Sequence, residues 1–180
     1  LDGSIKVLAL LLAFAGFLPP LATAGLAAVL ALLLLARFAF WKPRLAFARL
    51  DIGIMYLGYL AIIAQLGVVA FEQAAGAVWV GSVTTHLFTF GVMGLIVPAM
   101  IVRISKGHTG RKVMFDAADK AVLWIMILAL FLRVIAPQLA PAAYLLWVDL
   151  AAACWFAGFA ILAWRVIPFL LQPRIDGREH

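Results

Sequence analysis

The stretch VGSVTTHLFTFGVMGLIVPAMIV, residues 80–102, decides the fold. It contains no Asp, Glu, Lys or Arg. As a helix it reaches about 34 Å, enough to cross a hydrocarbon core of roughly 30 Å. Five more apolar runs flank it, at residues 5–18, 21–41, 52–71, 120–136 and 143–171. Together they use almost the whole chain of 180 residues and leave no room for a separate soluble domain. Composition agrees: the chain is 67% hydrophobic and 12% charged, against roughly half and a quarter in soluble domains. The excess apolar surface must face lipid. The expected fold is all-α, an integral membrane six-helix bundle forming a single transmembrane domain over residues 1–180.

The first run is the weakest. Residues 5–18 span only about 20 Å before Pro19 and Pro20 stop them. One reading is a short, tilted or truncated helix turned at the prolines. The other is a signal peptide, with Lys6, a short apolar stretch and a cleavage-like Ala22-Thr23-Ala24. The second apolar run follows at once, which favours the helix. The chain also opens on Leu1 rather than Met, which reads as a fragment or as residues added at the start.

In a soluble protein a net charge of +6 would suggest nucleic acid. Here the basic residues sit between apolar runs, so topology and contact with anionic lipid are the better reading, and no nucleic acid is expected. With the N-terminus inside, Lys6, Arg37, Lys42, Arg44, Arg49, Arg103, Lys106, Arg111, Lys112, Lys120, Arg165, Arg174 and Arg178 fall on the cytoplasmic side. Of the 14 Lys and Arg, only Arg133 falls outside. The positive-inside rule therefore predicts both termini in the cytoplasm. Trp79 and Trp147 fit the outer interface, and Trp41 and Trp164 lie toward the inner one. The single cysteine, Cys154, allows no intrachain disulfide and leaves the redox compartment open.

Polar side chains at membrane depth cost free energy and are candidates for function. They are Gln65, Thr84, Thr85, His86, Thr89, Arg133 and Asp149, with Tyr56 and Tyr59 toward the inner side. Counted from the outer ends of the runs, Gln65, His86 and Asp149 lie about 9 Å deep and Arg133 about 6 Å. Alternating helix directions place these four in one leaflet, so a polar cluster in the outer half of the bundle is expected. His86 shares a helix face with Thr89 and Met93. A neutral imidazole there suits an axial position on haem iron, or a copper site. The plainer alternative is a histidine bonded to a backbone carbonyl or to Asp149. Arg133 suits an acidic ligand group such as a haem propionate; otherwise it snorkels or pairs with Asp149. Asp149 could equally relay protons or orient His86. Met55, Met93, Met100, Met126 and Cys154 are soft enough for copper, although such side chains at helical spacing are more often packing.

The longest loop, residues 103–119, holds GHTGRK at residues 107–112. Arg103, His108 and Arg111 with the loop amides could hold a phosphate or a lipid head group. The plainer reading is a basic cytoplasmic turn, since the Gly-Lys-Ser/Thr ending of a phosphate loop is missing.

Four ordered stretches carry a family resemblance: LGYL at 57–60, THLFTFGVMGLIVPAMIVRISKGHTGR at 85–111, LRVIAP at 132–137 and PRIDGR at 173–178. They resemble the NnrS family, bacterial inner-membrane proteins linked to denitrification and nitrosative stress and reported to contain haem and copper. The resemblance begins near Arg37 and is to the C-terminal half of proteins about twice this length, with twelve helices. It implies His86 as metal ligand, with Arg133 offsetting propionate charge and Asp149 or Gln65 beside it. Tyr56 stands where family members often carry histidine. His108 lies on the cytoplasmic side and His180 in the tail, so a second axial histidine is missing within the membrane. Haem here would be five-coordinate, would take a non-histidine ligand, or would be shared across a homodimer or with a missing N-terminal half.

The resemblance thus implies a haem-binding membrane protein of nitric-oxide physiology. Two other classes compete: a transporter or channel half-unit with an outer-leaflet polar site, and a cofactor-free scaffold whose polar residues bind helices together. The sequence shows no nucleophile with a paired base, so it assigns no reaction.

Overall fold

The computed structural model describes residues 1–175 and 177. Every regular element among them is helical. The helices are α1 (Asp2–Ala13), α2 (Pro20–Phe40), α3 (Pro43–Phe47), α4 (Leu50–Ala75), α5 (Val83–His108), α6 (Ala117–Leu139) and α7 (Tyr144–Leu170). Five of them, α2 and α4 to α7, are long and apolar enough to cross a membrane.

The first apolar run does not make such a helix. α1 has 12 residues, about 18 Å of helix. A 3₁₀ turn at Ala15–Phe17 follows, and Leu18 is extended with ψ 149°, as the residue before a proline prefers. α1 folds back on α2: Asp2 pairs with Arg37 at 3.4 Å, and Ile5 packs with Ala27, Leu30, Leu34 and Leu66. The short helix Pro43–Phe47 was not visible in the hydropathy pattern.

α5 occupies the centre and packs against α4, α6 and α7. Its glycines make this possible. A Cβ on Gly91 would lie 2.6 Å from the Cβ of Ala61 on α4, and one on Gly94 would lie 2.7 Å from the Trp155 ring on α7. At both glycines only a hydrogen fits beneath the neighbouring helix's side chain, the usual device where lipid gives helices no hydrophobic reason to associate. Ile54, Leu95, Ala99, Val102, Leu123, Met126 and Leu162 fill the space around this axis. Phe17, Phe40, Phe156 and Trp164 point outward, as lipid-facing residues should.

The expected end of α5 at Val102 is corrected to His108. Arg103 and Lys106 extend the helix because carboxylates on neighbouring helices receive them. Arg103 Nη2 lies 3.2 Å from Asp51 Oδ2, and Lys106 Nζ lies 2.5 Å from Asp119 Oδ2. Thr109 closes the helix by donating its hydroxyl to the Ser105 carbonyl at 2.7 Å, and Gly110 turns the chain at φ 73°. α6 likewise begins at Ala117, three residues before the apolar run. A capping box sets that start: Asp116 Oδ1 accepts from the Ala118 and Asp119 amides at 3.0 Å, and Asp119 Oδ2 accepts from the Asp116 amide at 3.1 Å. Arg165 of α7 bonds both Asp116 and Asp119. The end of the bundle that carries the basic loops is therefore tied together by ion pairs.

Candidate binding site

At the opposite end, the loop before α5 sets the site. Gly81 is left-handed with φ 73°, and its neighbour Val80 is pinned to α6 by one amide side chain. The Val80 amide donates to Gln138 Oε1 at 3.0 Å, and Gln138 Nε2 donates back to the Val80 carbonyl at 2.9 Å. The helix then begins at Val83. His86 lies in its first turn, about 4.5 Å from the helix start, nearer the mouth than the apolar run suggested.

Two π-helical segments position the site. One is Leu87–Met93, directly after His86, and the other is Phe131–Ile135, around Arg133. Such widened turns shift the register of the side chains that follow and recur at functional sites. Arg133 Nη2 reaches His86 Nε2 at 2.7 Å. A guanidinium only donates, so Nε2 must accept, and the imidazole proton sits on Nδ1. Nδ1 faces Thr89 Oγ1 at 3.4 Å, and that hydroxyl donates to the Thr85 carbonyl at 3.2 Å. The result is a directed chain: Arg133, His86, Thr89, then backbone. On its other side Arg133 Nη1 lies 3.4 Å from the Tyr144 hydroxyl, and the guanidinium carbon is 5.7 Å from that ring's centroid. Arg133 has no carboxylate partner among the described residues. Phe90 meets the imidazole edge-on at 5.8 Å and packs on Trp155 at 4.7 Å.

The expected four-residue cluster thus reduces to a pair with flanking residues. Asp149 is exposed on α7 and bonds neither His86 nor Arg133. Gln65 is half-buried and lines a groove of about 540 Å³ with Thr23, Leu66 and Phe88. Tyr56 belongs to the inner end: its hydroxyl donates to the Trp41 carbonyl at 3.1 Å, and its ring packs against Phe38, Trp41 and Phe47. Met93 is 47% exposed at the end of the first π segment. In the basic turn, His108 is exposed and its carbonyl accepts from Arg174 at 3.0 Å. Arg111 donates to Gln172 at 3.1 Å and lies 4.4 Å over Phe169, and Arg103 bonds Asp51. His180 lies outside the described residues.

Sequence reasoning missed Tyr144 and Gln138, and it named Thr84 without its partner Glu72, whose two carboxylate oxygens both lie 3.1 Å from the Thr84 hydroxyl. Pro141, in the turn between α6 and α7, was the available signal, because that turn brings Tyr144 back beside Arg133.

Among the described residues no three His, Cys, Asp or Glu side chains converge. Haem needs less: one neutral imidazole with its proton on Nδ1 and a cation for a propionate. His86 and Arg133 provide that chemistry.

No curated protein and no solved structure matches the chain. A family model described as NnrS protein matches residues 1–174, beginning well ahead of the motifs near Arg37, so the chain belongs to the NnrS family.

Proposed function

We propose that this chain is a haem-binding protein of a bacterial cytoplasmic membrane, acting in the nitric-oxide responses to which its family is linked, with His86 as the iron ligand. The observation that carries the reading is the 2.7 Å contact from Arg133 Nη2 to His86 Nε2, which calls for the Nδ1–H tautomer, made by a guanidinium with no carboxylate partner among the described residues. The tautomer leaves the lone pair on Nε2, the nitrogen that would ligate. Arg133 now uses that lone pair, so binding requires an anionic group to draw the guanidinium off. A propionate is such a group, and Tyr144 would help to hold the displaced cation. Bound haem would supply an iron able to bind a small diatomic ligand. Thr89 keeps the imidazole oriented, and Phe90 and Trp155 limit water on its flank.

In this reading both termini lie in the cytoplasm, because Asp2 sits beside Arg37 and the short α1 with its turn carries the chain from that end to the start of α2, and lipid surrounds the bundle. The test is the absorption spectrum of detergent-purified protein from haem-replete cells, beside His86→Ala. A Soret band that shifts on reduction and is lost in the variant supports the reading. A colourless wild-type protein refutes it for this chain alone.

A further inference from the structure

At the end of the bundle opposite His86, a groove of about 580 Å³ opens between the start of α4 and the start of α6. Arg49, Asp51 and Lys120 form its polar wall, and Leu50, Met114 and Trp124 its apolar one. The charges do not cancel. Asp51 already holds two guanidiniums, Arg49 at 2.8 Å and Arg103 at 3.2 Å. Lys120 is exposed and pairs with no carboxylate among the described residues. Three cations against one anion leave two positive charges in excess. Lys106 and Arg165, by contrast, are committed to Asp116 and Asp119.

The apolar wall continues into the membrane-crossing part of the bundle. Trp124 follows Lys120 by one helical turn on the same face, deeper along α6, and is 61% exposed. Met114 is 56% exposed. A cationic rim above an open apolar wall, at the end that carries the basic loops, matches the two ends of a lipid.

We propose that this groove binds one anionic phospholipid, with its phosphate between Arg49 and Lys120 and an acyl chain along Trp124. Free phosphate would meet the rim alone and gain nothing from Trp124. Arg49 can turn to a phosphate because Asp51 keeps Arg103.

The test is native mass spectrometry of the full chain in detergent with phosphatidylglycerol, phosphatidylcholine or inorganic phosphate added. The proposal expects one retained phosphatidylglycerol per chain, weak phosphatidylcholine and no competition from millimolar phosphate. A cation near an anionic membrane surface contributes about 1 kcal/mol. Lys120→Gln, which breaks no ion pair, should therefore weaken phosphatidylglycerol binding about fivefold, and Arg49→Gln/Lys120→Gln about thirtyfold. Lys42→Gln/Arg44→Gln removes the same charge elsewhere and should leave binding unchanged. Equal binding of both lipids, unchanged binding in Lys120→Gln, displacement by phosphate, or an equal loss in the Lys42/Arg44 control would each overturn it.

Discussion

The guanidinium of Arg133 donates to Nε2 of His86 across 2.7 Å, and this contact fixes which imidazole nitrogen carries the proton. Arg133 comes from one π-helical segment, and His86 directly precedes the other. Local backbone irregularity in both helices thus sets the chemistry of a single ring.

The tautomer is open to direct measurement. In wild-type protein, ¹⁵N shifts of labelled His86 should show a protonated Nδ1 and a bare, hydrogen-bonded Nε2. Arg133→Leu removes the obligatory donor, and the ring should become a mixture of tautomers. An unchanged single tautomer in Arg133→Leu would show that Thr89 alone sets the ring.

Close packing beneath the site gives a second prediction. Gly91→Ala places a methyl 2.6 Å from Ala61 Cβ, and overpacking of this kind costs about 1–3 kcal/mol. Thermal unfolding in detergent should fall accordingly. Ala61→Gly should restore most of the loss in the double variant. Additive losses would mean that the two positions do not share one contact.

The inner end should be fragile in a particular way. Lys106 and Asp119 form a buried pair, with side chains 11% and 3% exposed. Asp119→Ala removes the nearer carboxylate and leaves the ammonium with Asp116 at 3.9 Å and the Met114 carbonyl at 2.6 Å, so the loss should fall at or below the roughly 3–5 kcal/mol of a broken buried pair. Lys106→Met/Asp119→Leu removes both charges and should recover a substantial part of that loss. A double variant as unstable as the single one would indicate that the capping role of Asp119 dominates.

Asp116 links this end to pH. Burial alone would raise its carboxyl. The Asp119 amide, Arg165, Lys106 and the Ala118 amide outweigh burial and hold it below the usual carboxylate value. A depressed folded value contributes stability that is present above the unfolded value, about 3.9, and is lost as pH falls through the folded value. Asp116→Ala should cost about 1 kcal/mol at neutral pH through the lost cap and should flatten the acid limb of the stability curve. Parallel acid limbs in the two proteins would contradict this.

Much of the membrane architecture was legible in the sequence because length and hydropathy alone decide whether a helix can span. Residues 80–102 needed no tertiary knowledge. Helix ends were less legible. Arg103 and Lys106 read as loop residues until Asp51 and Asp119 were known to face them, although the Asp116–Asp119 spacing is itself a helix-start signal. The site was legible by depth but not by direction. Depth placed His86 and Arg133 in one leaflet, and they do meet. It placed Asp149 and Gln65 there too, but helical phase turns Asp149 outward and Gln65 into a separate groove. π-helical insertions shift phase without any hydropathy signature, so counting at 3.6 residues per turn could not identify the contacts around the pair.

The central claim is that His86 Nε2 is the ligand of a haem iron. Its most direct test is a haem titration of the purified apo chain, followed by the Soret band, in wild type, His86→Gly, and His86→Gly with free imidazole added. The account predicts saturable binding at one haem per chain in wild type, loss of at least tenfold in affinity in His86→Gly, and recovery of the wild-type spectrum with imidazole. Equal affinity and an identical spectrum in His86→Gly without imidazole would contradict it.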